Sequence, residues 1–164
     1  MGKLAVVGLG LIGGSMALDL KKRLKYQVYG IDKNPEHIKS ALKLGIIDKE
    51  TDFSDLKDIE VVIIAVPVNY IAEVSQKVLD NISDEALVLD VGSVKNNICE
   101  ALNKHPKRQN FVAAHPLAGT EFSGPEAAIE NLFDEKVTII CESEKTNWKT
   151  LDKAISLFKK LNMR

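Results

Sequence analysis

The chain of 164 residues has an ordinary globular composition, with 45% hydrophobic and 27% charged residues, and its length fits one domain. This composition excludes a disordered tail, a collagen-like fibre and a disulfide-stapled miniprotein. The net charge is −1, and no basic excess indicates a nucleic acid or an anionic membrane as a partner. The first apolar run is too short to span a membrane and lacks the features of a signal peptide, so we expect a cytoplasmic protein.

Strand and helix patterns alternate along the first half of the chain. The apolar run Lys3–Val7 is typical of a buried strand, and it is followed by apolar residues at helical spacing. Gln27–Ile31 predicts a second strand, and Asn34-Pro35 predicts a helix start with an N-cap residue and proline at the first position. The continuous apolar run Val61–Val66 indicates a strand buried on both faces, which is typical of the centre of a parallel sheet.

The second half continues the alternation, with predicted strands at Leu87–Val91, Phe111–Ala114 and Val137–Cys141. Helical spacing predicts three inward faces, formed by Ile71, Val74, Val78 and Ile82, by Val94, Ile98, Ala101 and Leu102, and by Trp148, Leu151, Ile155 and Phe158. Thr146 is predicted to cap the last helix. Strands that alternate with helices favour an α/β fold with a doubly wound, mostly parallel sheet covered on both faces, formed as one unit by residues 1–164.

The turn after the first strand carries the sequence G-x-G-x-x-G, with its glycines at Gly8, Gly10 and Gly13. In a strand–turn–helix context this pattern is the fingerprint of a Rossmann-type dinucleotide site. The first glycine permits the tight turn, the second lets the backbone approach the pyrophosphate, and the third lets the helix pack close to the strand. Peptide N–H groups in the first helical turn, at Leu11 and Ile12, are predicted to face the phosphates.

Asp32 ends the second strand, 19 residues after Gly13. A carboxylate at this place accepts hydrogen bonds from the ribose hydroxyls and repels a 2′-phosphate, so the sequence favours NAD over NADP. The adjacent Lys33 weakens that preference slightly. A tight strand–helix turn that binds no ligand is the alternative interpretation of the motif.

Three further segments follow predicted strands, where ligands bind in open α/β sheets. Val66 and Pro67 could form a wall of the nucleotide site, although a proline that ends a strand and opens a helix explains them equally well. Ser93, in Gly92-Ser93-Val94-Lys95, could face the reaction site or simply cap the next helix.

His115 follows the strand Phe111–Ala114 directly, whereas His37 and His105 lie in polar stretches that we expect to be exposed. A histidine in a cleft at a strand end can act as a general base near neutral pH. A hydrogen-bonded packing histidine is the alternative. The spacing of His and Cys residues suggests no metal site, and no G-x-S-x-G motif indicates a hydrolase.

Three motifs together resemble the prephenate/arogenate dehydrogenase family. They are Gly8–Ser15, Gly92–Lys95 and the segment His115-Pro116-Leu117-Ala118-Gly119-Thr120-Glu121, which is the most discriminating of the three. The resemblance runs from about residue 3 to the end of the chain. It implies an NAD-dependent oxidative decarboxylation of prephenate to 4-hydroxyphenylpyruvate in tyrosine biosynthesis.

The same resemblance assigns roles to individual residues. His115 is expected to hydrogen-bond the ring hydroxyl of the substrate and take up the developing positive charge. Ser93 is expected to orient that hydroxyl, His115 and the nicotinamide. Thr120 and Glu121 are expected at the mouth of the substrate site, where the carboxylate could join an ionic gate.

Members of the family also carry a C-terminal, mostly helical domain that supplies the dimer interface and cations for the substrate carboxylates. This chain contains only three arginines, Arg23, Arg108 and Arg164, and they form no cluster in the sequence. The resemblance therefore implies the cofactor-binding part of a homodimeric enzyme, which we expect to be poorly active or inactive alone. Three alternatives stay open: an arogenate dehydrogenase, another two-domain hydroxy-acid or imine dehydrogenase, and a non-catalytic NAD-binding regulatory module.

Overall fold

A computed structural model describes residues 2–164 as seven strands and five α-helices. The strands are β1 (Lys3–Val7), β2 (Gln27–Ile31), β3 (Lys49–Glu50), β4 (Val61–Ile64), β5 (Leu87–Asp90), β6 (Phe111–Pro116) and β7 (Thr138–Cys141). The helices are α1 (Leu11–Leu24), α2 (Pro35–Lys43), α3 (Val68–Asn81), α4 (Asn96–Leu102) and α5 (Trp148–Lys160). Short 3-10 turns cover Phe53–Asp58, Arg108–Asn110, Pro125–Ala127 and Ser143–Lys145.

All seven strands form one sheet in the order β3-β2-β1-β4-β5-β6-β7. Every neighbouring pair is parallel except β6 and β7. The predicted doubly wound, mostly parallel sheet is therefore confirmed. From β1 the chain adds β2 and β3 on one side of the sheet and then returns to add β4 to β7 on the other side. This switch in strand order opens a crevice at the carboxyl ends of β1 and β4.

The sheet separates two hydrophobic layers. Side chains of α1, α2 and α5 pack on one face, and side chains of α3 and α4 pack on the other. The central strand β4 is fully buried on both faces, as its unbroken apolar sequence predicts. The helices are buried in the same way: Ile71 on α3, for example, is fully buried. Full burial of one such apolar side chain contributes about 1.5–3 kcal/mol to the stability of the fold.

Two of the predicted helix faces differ from the structure. Val94 lies before α4 and is exposed, as is Ala101, so only Ile98 and Leu102 of the predicted set point inward. In α5, Trp148 is 71% exposed and Ile155 is also exposed, whereas Phe158 is buried as predicted, together with Ala154 and Leu157. Leu151 is partly buried, so the inward face of α5 is best formed toward its carboxyl end.

The predicted cap of α5 is also wrong by one residue. The Asn147 side chain caps the helix by accepting a hydrogen bond from the Lys149 N–H at 2.9 Å. The Thr146 hydroxyl instead donates to the Phe111 carbonyl oxygen at 2.8 Å. Thr146 therefore ties the helix entrance to β6 rather than completing the helix.

The segment after β6 returns across the sheet and is fastened to α1. Ser15 Oγ accepts a hydrogen bond from the Ile129 N–H at 3.0 Å, and the buried Asp19 carboxylate accepts one from the Asn131 N–H at 3.0 Å. Burial raises the pKa of Asp19, and these contacts with Asn131 and the nearby Arg23 oppose that rise. Within the described residues, no helix is long and apolar enough to cross a lipid bilayer.

Candidate active site

The glycine turn between β1 and α1 contains two glycines that packing requires. Gly8 has φ +93°, and a Cβ built on it would lie 2.6 Å from the Ala65 carbonyl oxygen. A Cβ on Gly13 would lie 2.1 Å from the Gly8 carbonyl oxygen and 3.0 Å from the Val6 side chain. Both positions therefore exclude any side chain, as the sequence predicts.

Gly10 differs from these two glycines. A Cβ at this position would meet no atom within 4 Å, so nothing in the protein prevents a side chain there. The turn leaves open space beside the backbone of Gly10, where the motif predicts close approach of a pyrophosphate. This observation fits a dinucleotide and is not explained by packing.

The helix α1 begins directly at this space. Gly10 is its N-cap residue, with no side-chain cap, and the first intrahelical bond runs from the Gly14 N–H to the Gly10 carbonyl oxygen at 2.8 Å. The N–H groups of Leu11, Ile12 and Gly13 consequently have no acceptor inside the helix. No acidic residue lies in the first turn, so the partial positive charge of the helix end is available to an anion.

Asp32 lies at the crevice edge formed by β2, and its side chain is only 8% exposed. One carboxylate oxygen, Oδ2, accepts from the Leu9 N–H at 2.8 Å, and the other, Oδ1, accepts from the Asn34 N–H at 2.9 Å. The residue therefore also holds the glycine turn against β2, a structural role that the sequence motif does not reveal. Oδ1 has a further lone pair for an incoming hydroxyl, whereas Oδ2 also lies near the ring of His37.

His37 belongs to this region, although its polar sequence context predicts only exposure. Its Nδ1 lies 3.3 Å from Asp32 Oδ2, and its side chain is partly buried. His105 is mostly buried as well, with Nε2 3.2 Å from Asp80 Oδ1, so the prediction of exposure is wrong for this residue.

Val66 and Pro67 follow β4 on the other side of β1. The strand ends at Ile64, two residues earlier than predicted, and Pro67 is the residue that precedes the first turn of α3. Its carbonyl oxygen accepts from the Tyr70 N–H at 2.9 Å. Pro67 thus opens the helix, and the two residues border the crevice beside the glycine turn.

Ser93 lies on the loop after β5 and is exposed. It is not a helix cap, because the N-cap position of α4 belongs to Lys95 and has no side-chain cap bond. The structure therefore removes the alternative interpretation of Ser93 as a capping residue.

A buried ion pair, missed by the sequence analysis, lies beneath this loop. Asp90 at the end of β5 is fully buried, pairs with the Lys95 ammonium and accepts from the Gly92 N–H at 3.0 Å. Its second oxygen, Oδ1, has no partner within the described residues. Burial raises the pKa of Asp90, and the Lys95 charge opposes this rise. The pair shapes the loop that presents Ser93.

His115 lies near the carboxyl end of β6, opposite Ile139 of β7. The neighbouring strands β5 and β6 pair Asp90 with Ala113, so the Ser93 loop and His115 emerge at the same edge of the sheet. The ring of His115 is partly buried, and no hydrogen bond of the described residues involves it. The alternative of a hydrogen-bonded packing histidine is therefore not what the structure shows.

Thr120 and Glu121 follow on the exposed loop after β6. Thr120 Oγ1 accepts from the Phe122 N–H at 3.2 Å, and the Glu121 side chain is exposed without an ion pair among residues 2–164. Across the same described residues, no group of three His, Cys, Asp or Glu side chains could hold a metal ion.

The topology and the glycine turn together define a Rossmann-type nucleotide-binding domain. Residues 16–164 match the family described as prephenate dehydrogenase, nucleotide-binding domain, and the chain belongs to this family. The match begins after the glycine motif, so it is independent of the most widely shared part of the sequence.

Individual relatives agree with this assignment. Prephenate dehydrogenase of Bacillus subtilis (strain 168) is 38% identical in an alignment of 162 positions that covers 96% of this chain and 44% of that protein. The crystal structure of prephenate dehydrogenase from A. aeolicus in complex with hydroxyphenyl propionate and NAD+ superposes with a TM-score of 0.91 at 34% identity, covering 100% of this chain and 58% of that one. Synechocystis arogenate dehydrogenase gives a TM-score of 0.90 at 31% identity, covering 99% and 58%. The chain thus spans about half the length of the relatives that it matches.

Proposed function

We propose that this chain is the NAD-binding part of an enzyme that oxidatively decarboxylates prephenate, or its amino analogue arogenate, in tyrosine biosynthesis. The open space beside Gly10, at the start of α1 and next to the Asp32 carboxylate, is the observation that carries the proposal. The assignment of Ser93 and His115 to the reaction site is supported by their position at the same carboxyl edge of the sheet. Among residues 2–164, Ser93 caps no helix and the His115 ring makes no hydrogen bond that would explain either residue structurally.

The bound cofactor supplies an acceptor for the hydride that leaves the ring carbinol carbon of the substrate. The ring hydroxyl must then lose its proton as its carbon becomes a ketone. His115 would accept this hydroxyl hydrogen bond and take up the proton, which is ordinary general-base chemistry for an imidazole. Ser93 would orient the hydroxyl against the imidazole, and Glu121 would border the entrance. Loss of CO2 restores the aromatic ring, so the protein mainly positions and polarises the substrate.

Several finer statements belong to the same proposal. By analogy with the family, the working enzyme is a cytoplasmic homodimer, and groups outside this chain hold the substrate carboxylates. The A. aeolicus and Synechocystis relatives are named for prephenate and arogenate respectively. The proposal therefore includes both substrates, which differ in carrying a carbonyl or an amine on the side chain.

Nucleotide titration tests the cofactor site. Asp32→Asn keeps an acceptor oxygen for the Leu9 N–H but removes the charge, so NADH binding should weaken about tenfold or more, by the loss of a charge-assisted hydrogen bond. Discrimination against NADPH should narrow at the same time. Asp152→Asn on the exposed side of α5 is the matched control. Unchanged titrations of both nucleotides for Asp32→Asn would contradict the ribose role.

A substrate panel tests the reaction. The protein expressed from its natural reading frame should reduce NAD+ with prephenate or arogenate. Activity only on generic hydroxy acids would favour another two-domain dehydrogenase. NADH binding without turnover of any of these substrates would favour a regulatory module.

A further inference from the structure

A lysine and a tyrosine meet across the crevice above β1. Lys33 directly follows Asp32 at the end of β2, and Tyr70 lies in the first turn of α3, after β4. The two strands flank β1 in the sheet. The Lys33 ammonium nitrogen is 4.8 Å from the centroid of the Tyr70 ring, which is cation–π distance. The contact therefore links the two sides of the proposed nucleotide crevice.

The ammonium makes this contact instead of pairing with a carboxylate. Its neighbour Asp32 directs its oxygens to the Leu9 and Asn34 N–H groups and to His37. Among residues 2–164, Lys33 takes part in no ion pair, so the ring of Tyr70, itself 49% exposed, is its only close partner of opposite electrostatic character.

The position of this cation bears on the choice between NAD and NADP. The two cofactors differ only in the 2′-phosphate of the adenosine ribose, next to the acidic residue that ends the second strand. A cation beside that residue would attract the phosphate and offset the repulsion by Asp32. We propose that Tyr70 is a specificity-determining residue, which favours NAD by holding the Lys33 ammonium away from the 2′ position. This inference rests on the proposed NAD site.

The competing explanation is that Tyr70 only contacts the adenine. Adenine is common to both cofactors, so loss of such a contact would weaken NADH and NADPH equally. The ratio of the two affinities therefore isolates the effect on the 2′-phosphate.

The test uses calorimetric titration of NADH and NADPH into four variants, all built on Asp32→Asn so that NADPH binding is measurable. Tyr70→Leu should shift the affinity ratio toward NADPH by about 2- to 5-fold, the range of an exposed cation–π contact. Tyr70→Phe keeps the aromatic face and should leave the ratio unchanged. Lys33→Met combined with Tyr70→Leu should show the same ratio as Lys33→Met alone.

The inference would be overturned if Tyr70→Leu left the ratio of NADH to NADPH affinity unchanged. It would also be overturned if Tyr70→Leu shifted that ratio equally with and without Lys33→Met. A shift in Tyr70→Phe would assign the effect to the hydroxyl group and overturn it as well. Failure of the unmodified chain to bind NADH would defeat the proposed cofactor site itself, which is a distinguishable result.

Discussion

The glycine turn after β1 and the strand ends of β5 and β6 are the two halves of the proposed site, and they are built differently. In the turn, Gly8 and Gly13 are required by packing, since any side chain would collide with backbone atoms. At the strand ends, Ser93 caps no helix, and the imidazole of His115 makes no hydrogen bond to the described residues 2–164, although its strand pairs with β7.

This difference decides which residues of the site are evidence for the fold and which are evidence for function. A glycine that packing demands would be present whether or not a nucleotide binds, so Gly8 and Gly13 are evidence for the fold. Gly10, Ser93 and His115 have no such structural reason, and they are therefore the stronger evidence for function. The comparison predicts that substitutions in the first group reduce stability and those in the second reduce activity or binding.

The largest effect is expected at His115. In the protein expressed from its natural reading frame, His115→Asn should lower kcat about 10²–10⁴-fold, the usual contribution of a general base, because asparagine cannot take up the proton. The NADH dissociation constant should not change. Steady-state kinetics with calorimetry measures both quantities, and a loss of kcat below about tenfold would contradict the assigned role.

The next effect concerns the ion pair beneath the Ser93 loop. Lys95→Met leaves the Asp90 carboxylate buried without its counter-ion and should lower the free energy of unfolding by about 3–5 kcal/mol near pH 7. The variant raises the Asp90 pKa further above its unfolded value. Because the folded protein then binds the proton more tightly than the unfolded chain, stability falls as pH rises from about 3.9 through the folded pKa.

Urea denaturation at about pH 5 and about pH 7 measures this pH dependence. The loss should be smaller at the lower pH. Lys77→Met, which removes an exposed ion pair with Glu73, is the control and should cost far less than Lys95→Met at either pH, because exposed ion pairs add little to stability. A loss for Lys95→Met that does not vary with pH would show that the Asp90 charge is not its cause.

Within the glycine turn, Gly13→Ala should cost about 3 kcal/mol of unfolding free energy, at the upper end of overpacking effects, because the added methyl group meets the Gly8 carbonyl oxygen. Gly10→Ala is the matched comparison. It should retain the stability of the unmodified chain and lose NADH affinity, since its methyl group occupies only the open space. Equal destabilisation by both variants would remove the distinction between the two glycines.

The smallest effect is expected for Ser93→Ala. An exposed serine that caps no helix should change the free energy of unfolding by less than about 0.5 kcal/mol. By contrast, Asn34→Ala removes a true cap of α2 and should cost about 1 kcal/mol. Thermal denaturation of both variants compares them directly, and a marked loss for Ser93→Ala would indicate a structural role after all.

Much of the fold follows from local patterns in the sequence. The bounds of β1 and β2 are as predicted, and Asn34 caps α2, because short, mostly apolar runs and N-cap chemistry act over a few residues. The face of a helix is harder to predict. Trp148 shares helical spacing with Phe158, yet Trp148 is exposed and Phe158 is buried, and spacing alone cannot show which turns of a helix find a packing partner.

The site was predictable where it coincides with motifs. Asp90 ends an apolar run and is indistinguishable in sequence from an exposed strand end, and its pairing with Lys95 depends on how the loop folds back. His37 lies in the first turn of α2, and its Nδ1 comes within 3.3 Å of Asp32 Oδ2. Both pairs are only five residues apart, but whether their side chains meet depends on the exact backbone path of the turn after the strand, which residue types alone do not predict.

Ser15 and Asp19 of α1 hold the chain after β6 by hydrogen bonds. This attachment determines where the length of the domain's loops can change. Residues 117–124, most of them exposed, lie between β6 on one side and the segment that is hydrogen-bonded to α1 through Ile129 and Asn131 on the other. Lengthening such a loop costs only about 0.6 kcal/mol for each doubling. The loop that carries Thr120 and Glu121 can therefore be lengthened or reshaped, by engineering or in evolution, while the nucleotide-binding sheet stays the same.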